Sequence, residues 1–273
     1  MNIGFIGTGN MGTILIEALI ESKAVIPSSL TITNRTIDKA LNIKKRFPDI
    51  QVAERPEEVI SESEAVFICV KPLDIYPLLK QLAPAFSKDQ ILITITSPVQ
   101  VEQLESIVSC QAARVIPSIT NRALSGVSLL TFGESCNAEA KGKITDTMRK
   151  ISIPLEIESG VTRVASDIVS CGPAFISYLI QELIHAAVKE TSVTKEDAIL
   201  MSKEMLVGLG RLLETEVYTL PALQEKVCVK GGVTGEGLKA LENGAQDMFR
   251  QMFRNTHLKY EEDIAAVKKQ FPV

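Results

Sequence analysis

Read by its apolar and polar positions, the chain has two halves with different rhythms. In the first, apolar runs of strand length alternate with stretches of helical spacing. Ile3–Ile6, Leu30–Thr33, Ile50–Val52, Ala65–Val70, Ile91–Ile95, Ala113–Ile116, Val127–Thr131 and Pro154–Ile157 read as strands. Between them, helices are expected from Thr13, over Ile37–Phe47 with Thr36 as cap, near Glu57–Ser61, and over Ile75–Ala83, Val101–Val108 and Ala138–Ile151. Ala65–Val70 is apolar without a break, which suits a parallel strand covered on both faces. This alternation predicts an α/β fold with a doubly wound, mostly parallel sheet.

After Gly160 the pattern is helical only. A long apolar helix is expected over Ile168–Val188, entered through Gly172-Pro173. Thr194-Lys195-Glu196-Asp197 reads as a capping box that opens a helix to Glu216. Leu220–Val227, Glu236–Asn243 and Ala245–Lys269 follow as helices. The expected division is 1–160 for a sheet domain and 161–273 for an all-α domain serving substrate binding and dimerisation.

The first strand runs straight into Gly7-Thr8-Gly9-Asn10-Met11-Gly12, a G-x-G-x-x-G turn that opens a helix. Gly7 suits the tight reversal, Gly9 the close approach of a pyrophosphate, and Gly12 the packing of helix on strand. The free N–H groups and dipole at the helix start favour an anion. The sheet is therefore expected to be of Rossmann type and to bind a dinucleotide. Ligands in such sheets lie outside the carboxyl ends of the strands. The candidates there are Gly7 to Gly12, Asn34-Arg35-Thr36, Val70-Lys71-Pro72, Thr96-Ser97-Pro98 and Pro117-Ser118. An enzyme using NAD usually carries Asp or Glu at the end of the second strand, to hold the ribose hydroxyl. Asn34-Arg35-Thr36 has no acid, and an arginine there suits a 2′-phosphate, so NADPH is expected over NADH.

A second glycine-rich stretch, Lys230-Gly231-Gly232-Val233-Thr234-Gly235-Glu236-Gly237, precedes a helix and has the make-up of an anion-accepting turn. A plain helix connector would also read this way. Ser170-Cys171-Gly172-Pro173-Ala174-Phe175 reads either as a helix start or as part of a site.

Composition narrows the partners. The chain has 273 residues, is 45% hydrophobic and 23% charged, and carries a net charge of −4. A mildly acidic chain without a basic run is a poor nucleic-acid ligand. No apolar run approaches the roughly 20 residues of a spanning helix, so no membrane partner is expected. No signal peptide is read at the N-terminus. Five cysteines without a C-x-x-C pair point away from disulfides and metal and towards a reducing cytoplasm. The mean hydropathy of +0.17 and the very apolar helix after Ile168 suggest a surface covered by a second copy, hence a homodimer or larger homo-oligomer. His185 and His257 read as structural.

Taken together these stretches resemble the pyrroline-5-carboxylate reductase family, and within it a branch typified by a late-competence operon protein. The resemblance rests on Ile3 to Gly12, Asn34-Arg35, Val70-Lys71-Pro72, Cys171-Gly172-Pro173-Ala174-Phe175 and Gly231-Gly232-Val233-Thr234. It implies an NAD(P)H-dependent oxidoreductase that reduces the C=N bond of 1-pyrroline-5-carboxylate to give L-proline. It also implies that a helical domain interlocks with a second subunit. Lys230, Gly231, Gly232, Val233 and Thr234 would then hold the ring carboxylate, with Thr234 near the ring nitrogen as the catalytic contact.

Three stretches depart from the family pattern. S-P-G-G has become Val229-Lys230-Gly231-Gly232, M-P-N-T-P has become Ile116-Pro117-Ser118-Ile119-Thr120, and the serine of G-S-G-P-A-F has become Cys171. Two alternatives therefore stand beside proline synthesis: reduction of a different cyclic imine, or a dinucleotide-binding regulatory protein with weakened turnover. A β-hydroxyacid dehydrogenase fits less well, because Gly160 to Ile184 contains no lysine to move the alcohol proton.

Overall fold

Short, nearly unbroken apolar runs build the centre of a computed structural model that describes residues 1–271. In chain order its elements are β1 (Ile3–Ile6), α1 (Asn10–Glu21), β2 (Leu30–Thr33), α2 (Ile37–Arg46), β3 (Gln51–Val52), α3 (Pro56–Ser61), β4 (Ala65–Ile68), α4 (Pro72–Leu82), β5 (Ile91–Thr94), α5 (Val101–Glu105), β6 (Gln111–Ile116), β7 (Val127–Phe132), α6 (Ala138–Arg149) and β8 (Ile153–Glu156). Then come α7 (Thr162–Ser166), α8 (Gly172–Glu190), α9 (Lys195–Glu214), α10 (Leu220–Val227) and α11 (Val233–Lys268). The strands form one sheet in the order β3-β2-β1-β4-β5-β6-β7-β8, with only the β6–β7 pair antiparallel. The expected doubly wound α/β sheet followed by helices is the observed architecture.

Alternation along the strands sends side chains into two apolar layers. Ile3, Phe5, Phe67, Ile93 and Val115 join Leu15, Ile16 and Leu19 of α1 and Ile144 and Met148 of α6 on one face. Ile6, Val66, Ile68, Leu92 and Ala112 join Val59, Ile75, Leu79, Leu104 and Val267 on the other. Phe5 and Phe67 stack across neighbouring strands at 4.9 Å. Both faces are thus covered, which is why these strands read as unbroken apolar runs rather than as alternating ones.

Compactness divides the chain differently from the expected border at 160. One unit is Met1–Pro173 with Thr256–Val273, and the other is Ala174–Asn255. The shift has local causes. Thr162, Ser166 and Asp167 are buried in the first unit. From the end of α11, Tyr260 donates to the Ser97 carbonyl at 3.0 Å and Val267 is fully buried.

Some local expectations need correction. Thr36 precedes α2, but its side chain makes no capping bond. Lys71-Pro72 does not merely end β4: Pro72 opens α4, where its missing N–H costs nothing. The two helices expected either side of Gly244 are one, α11, because a lone glycine costs only about 1 kcal/mol in a helix. The long apolar helix begins earlier than Ile168. Ser159–Glu190 runs as one helical stretch and is, by length and composition, apolar enough to cross a membrane. In the sequence Arg163 and Asp167 interrupt that run; in the structure they pair at 2.8 Å within it.

Pro173 lies inside this stretch and cannot donate to the carbonyl of Val169. A π-turn over Asp167–Cys171 accommodates the missing bond, and the buried Ser118 hydroxyl donates to that carbonyl at 2.7 Å. Ser170 in turn donates to the Pro117 carbonyl at 2.8 Å. Pro117 and Ser118 thus hold the π-turn through these two bonds.

Candidate dinucleotide and substrate sites

The glycine turn after β1 has the geometry that its sequence requires. Gly7 has φ +102°, and a Cβ there would stand 2.6 Å from the Cys69 carbonyl oxygen. A Cβ on Gly12 would stand 2.4 Å from the Gly7 carbonyl oxygen. At Gly9 the same Cβ would meet nothing within 4 Å. So two glycines are required by the protein itself, and the third faces open space, where a ligand can come up to the backbone.

The turn is fastened from both sides of the switch point. Gly7 N–H donates to Thr33 O at 2.9 Å, and Cys69 N–H to Ile6 O at 2.8 Å. Asn34 accepts from Thr8 N–H at 2.9 Å and donates to Thr36 O at 3.0 Å. Asn34 thus shapes the turn with one bond in each direction, and Arg35 beside it is exposed. The first turn of α1 has neither a side-chain cap nor an acidic residue. Its N–H groups and dipole stay available to an anion. The Thr8 hydroxyl is buried with no partner in the protein, a condition that a ligand would relieve. Asn10 is exposed and Met11 half-buried on the same rim. These residues fit a dinucleotide.

The helix behind the turn is braced by charge. Glu17 on α1 is buried and pairs with Arg122 at 2.8 Å and with Arg46. Val70, half-buried, and Lys71, exposed, follow β4, so the structure brings Gly7–Gly12, Asn34–Thr36 and Val70–Pro72 to one edge of the sheet. Beside the turn, burial pushes the Cys69 thiol above its ordinary range.

The second glycine stretch, in the helical unit, is shorter as a turn than its sequence suggests. Gly231 has φ +74°, and Gly232 N–H donates to Val229 O at 2.9 Å. Val233 already starts α11, so Gly235 and Gly237 are helical. Lys230 and Val233 are exposed, Val233 at 90%, while Gly232 and Thr234 are half-buried. Val229, which replaces the family serine, is 65% exposed. No group of three or more candidate metal ligands occurs among the described residues.

Sequence reasoning passed over Arg114 and Asp167 and placed Ser118 only among the polar residues at a strand end; all three are buried. Their traces are a charge inside a strand run, a charge inside an apolar helix, and a proline inside a helix whose freed carbonyl needs a donor.

The chain is similar to known proteins over its whole length. A profile described as pyrroline-5-carboxylate reductase dimerisation matches residues 161–263, and one described as NADP oxidoreductase, coenzyme F420-dependent, matches 2–98. The chain is 73% identical to ComE operon protein 4 of Bacillus subtilis over 273 residues, covering 100% of both. It is 30% identical to pyrroline-5-carboxylate reductase 3 of the same organism over 269 residues, covering 98% of both. Among solved structures, the NADP-bound pyrroline carboxylate reductase of Plasmodium falciparum superposes with a TM-score of 0.82 at 21% identity, covering 98% of both chains. The enzyme of Coxiella burnetii does so with 0.83 at 22%, covering 100% of this chain and 99% of that one. With the fold, the dinucleotide cradle and both profiles in agreement, the chain belongs to the pyrroline-5-carboxylate reductase family of NAD(P)-dependent oxidoreductases.

Proposed function

We propose that the protein is an NADPH-dependent reductase of a small cyclic imine, with 1-pyrroline-5-carboxylate as substrate and L-proline as product. The observation that carries this reading is the open dinucleotide cradle: a free face at Gly9, an unpartnered Thr8 hydroxyl and an uncapped helix start. Arg35, with Asn34 already committed, is the group we assign to a 2′-phosphate.

A bound nicotinamide dinucleotide supplies the hydride that the imine carbon accepts, while the ring nitrogen ends as a secondary amine. The chain's own residues bind and orient. Gly7 to Gly12 hold the pyrophosphate, and Val70-Lys71-Pro72 flank it. Lys230 to Gly232 offer backbone N–H groups and one ammonium to the substrate carboxylate, and Thr234 places its hydroxyl at the ring nitrogen. The iminium already carries its proton over much of the working pH range, so orientation is the larger task.

The exposed Val229 in place of serine favours a second reading, reduction of a related imine with a different ring substituent. The helical unit's exposed apolar faces and the dimerisation profile over 161–263 support assembly as a homodimer or larger homo-oligomer. Steady-state NADPH oxidation with 1-pyrroline-5-carboxylate tests the reading. Turnover with proline as product supports it. Tight NADPH binding with no turnover on any cyclic imine would replace it with a dinucleotide-responsive regulator.

A further inference from the structure

Among the described residues Arg114 is the largest fully buried side chain, and its five hydrogen bonds there all go to uncharged groups. A buried charge without a counter-ion is costly unless its donors are well used. Here three of the five bonds go to one loop, while Nε is buried without a partner among the described residues. The guanidinium donates to Ser97 O at 3.0 Å, Val99 O at 3.3 Å and the Gln100 side-chain oxygen at 3.0 Å. Its other nitrogen donates to the hydroxyls of Thr131 at 3.2 Å and Thr162 at 2.8 Å. Tyr260 donates to the same Ser97 carbonyl at 3.0 Å. Three groups of the segment between β5 and α5 thus hang on one planar fork, which lysine could not replace.

That segment lies where the second half of a dinucleotide would reach. Arg35 sits at the end of β2 and the pyrophosphate turn at the end of β1. The other half must then extend the opposite way, past β4 to β5, since the order is β2-β1-β4-β5. Two strand spacings are about 10 Å, within the reach of a nucleoside. Arg114 pairs in register with Thr94, the last residue of β5, so its fork is held at that same edge. Within the loop, the Thr96 hydroxyl is buried without a partner in the protein.

We infer that Arg114, seconded by Tyr260, is a positioning residue that fixes the Thr96–Gln100 loop as the wall for the nicotinamide half of the cofactor. This rests on the dinucleotide reading above. The test measures NADPH affinity by fluorescence titration, amide exchange at Thr96, Ser97, Val99 and Gln100, and thermal midpoint, in the full-length wild type, Arg114→Lys and Tyr260→Phe. Tyr260→Phe keeps the ring that Arg163 covers and removes only the donor to Ser97, so it serves if Arg114→Lys does not fold. The expected result is a roughly 10-fold or greater rise in the NADPH dissociation constant for Arg114→Lys and about 3-fold for Tyr260→Phe, with faster exchange confined to the loop. A lowered midpoint with unchanged affinity and unchanged loop exchange in both variants would reduce Arg114 to a core strut and overturn the inference alone. A wild type that binds no NADPH would overturn the functional reading and this inference together.

Discussion

The sheet unit and the helical unit satisfy their apolar residues in opposite ways. In the first, strand after strand is buried from end to end, as in β1, β2, β4, β5 and β6. In Ala174–Asn255 only Ile184 and Ala198 are buried, while Ile176, Tyr178, Leu183, Leu200, Met201 and Leu241 are exposed. A doubly wound sheet supplies its own cover, because each crossover helix returns onto the face of the strands it joins. Between Ala174 and Asn255, helices α8 to α11 carry apolar residues around more than one stripe, and most of these are exposed. Exposed apolar surface on that scale marks an association site, and the family's dimerisation profile spans it.

The sharpest way to break that contrast is to charge the exposed faces. Ile176→Glu with Leu183→Glu should raise the dimer dissociation constant by roughly 100-fold or more, read by sedimentation equilibrium, because burying unpaired carboxylates in an interface costs several kcal/mol. A wild type that stays monomeric at low micromolar concentration would remove the contrast altogether.

Two glycines test the completeness of the sheet unit. Gly12→Ala puts a methyl 2.4 Å from the Gly7 carbonyl oxygen and should lose about 1–3 kcal/mol of stability, seen in chemical denaturation. Gly9→Ala meets no protein atom and should leave stability alone, yet weaken NADPH by about 10-fold by taking ligand space. Equal effects of the two on stability would contradict the assigned roles.

In the helical unit the substrate turn can be tested without touching the cradle. Thr234→Ala should lower kcat/KM for the imine by about 5- to 150-fold, the equivalent of 1–3 kcal/mol, with NADPH affinity nearly unchanged. Val229→Ser should hold or raise activity. If Thr234→Ala reduces 1-pyrroline-5-carboxylate as fast as the wild type, the role of this turn falls. For the cradle, Arg35→Ala should weaken NADPH by about 10-fold and NADH hardly at all. Wild-type preference for NADH would reverse that assignment.

The smallest effect expected is in thiol chemistry. Burial pushes Cys110 up to about 12 and Cys136 up to about 11, so neither should react with maleimide at pH 8 until the sheet unit unfolds. Cys228, half-buried in the helical unit, should label first in the charged double variant. Rapid labelling of Cys110 in the native protein would mean that the sheet unit opens more readily than its burial suggests.

Most of the architecture is legible along the chain because its signals are local. A strand covered on both faces must be an apolar run, as Ala65–Ile68 is, and a turn with φ +102° under a neighbouring carbonyl must be glycine, as at Gly7. The Asn34-Arg35 turn is legible for the same reason, although nothing local says that Asn34 would spend its amide on Thr8. Helix ends were less legible. Thr194 caps α9 by accepting from Asp197 N–H, although the Asp197 carboxylate accepts from the Thr194 hydroxyl rather than closing the expected capping box, whereas Thr36 leaves its hydroxyl out of the cap.

The sequence by itself determined the strand–helix order, the glycine cradle and the change of character after Gly160, since each depends on residues that are neighbours along the chain. Only the tertiary structure decided what the isolated charges and prolines are for. Arg114 looks like a flaw in a strand until residues 14 to 17 positions upstream, with others 17 and 48 downstream, supply its acceptors. Pro173 looks like a helix break until Ser118, 51 residues from Val169, donates to the carbonyl left free. A buried polar group must find its partners wherever the fold brings them, and that distance in sequence is what a reading along the chain cannot span.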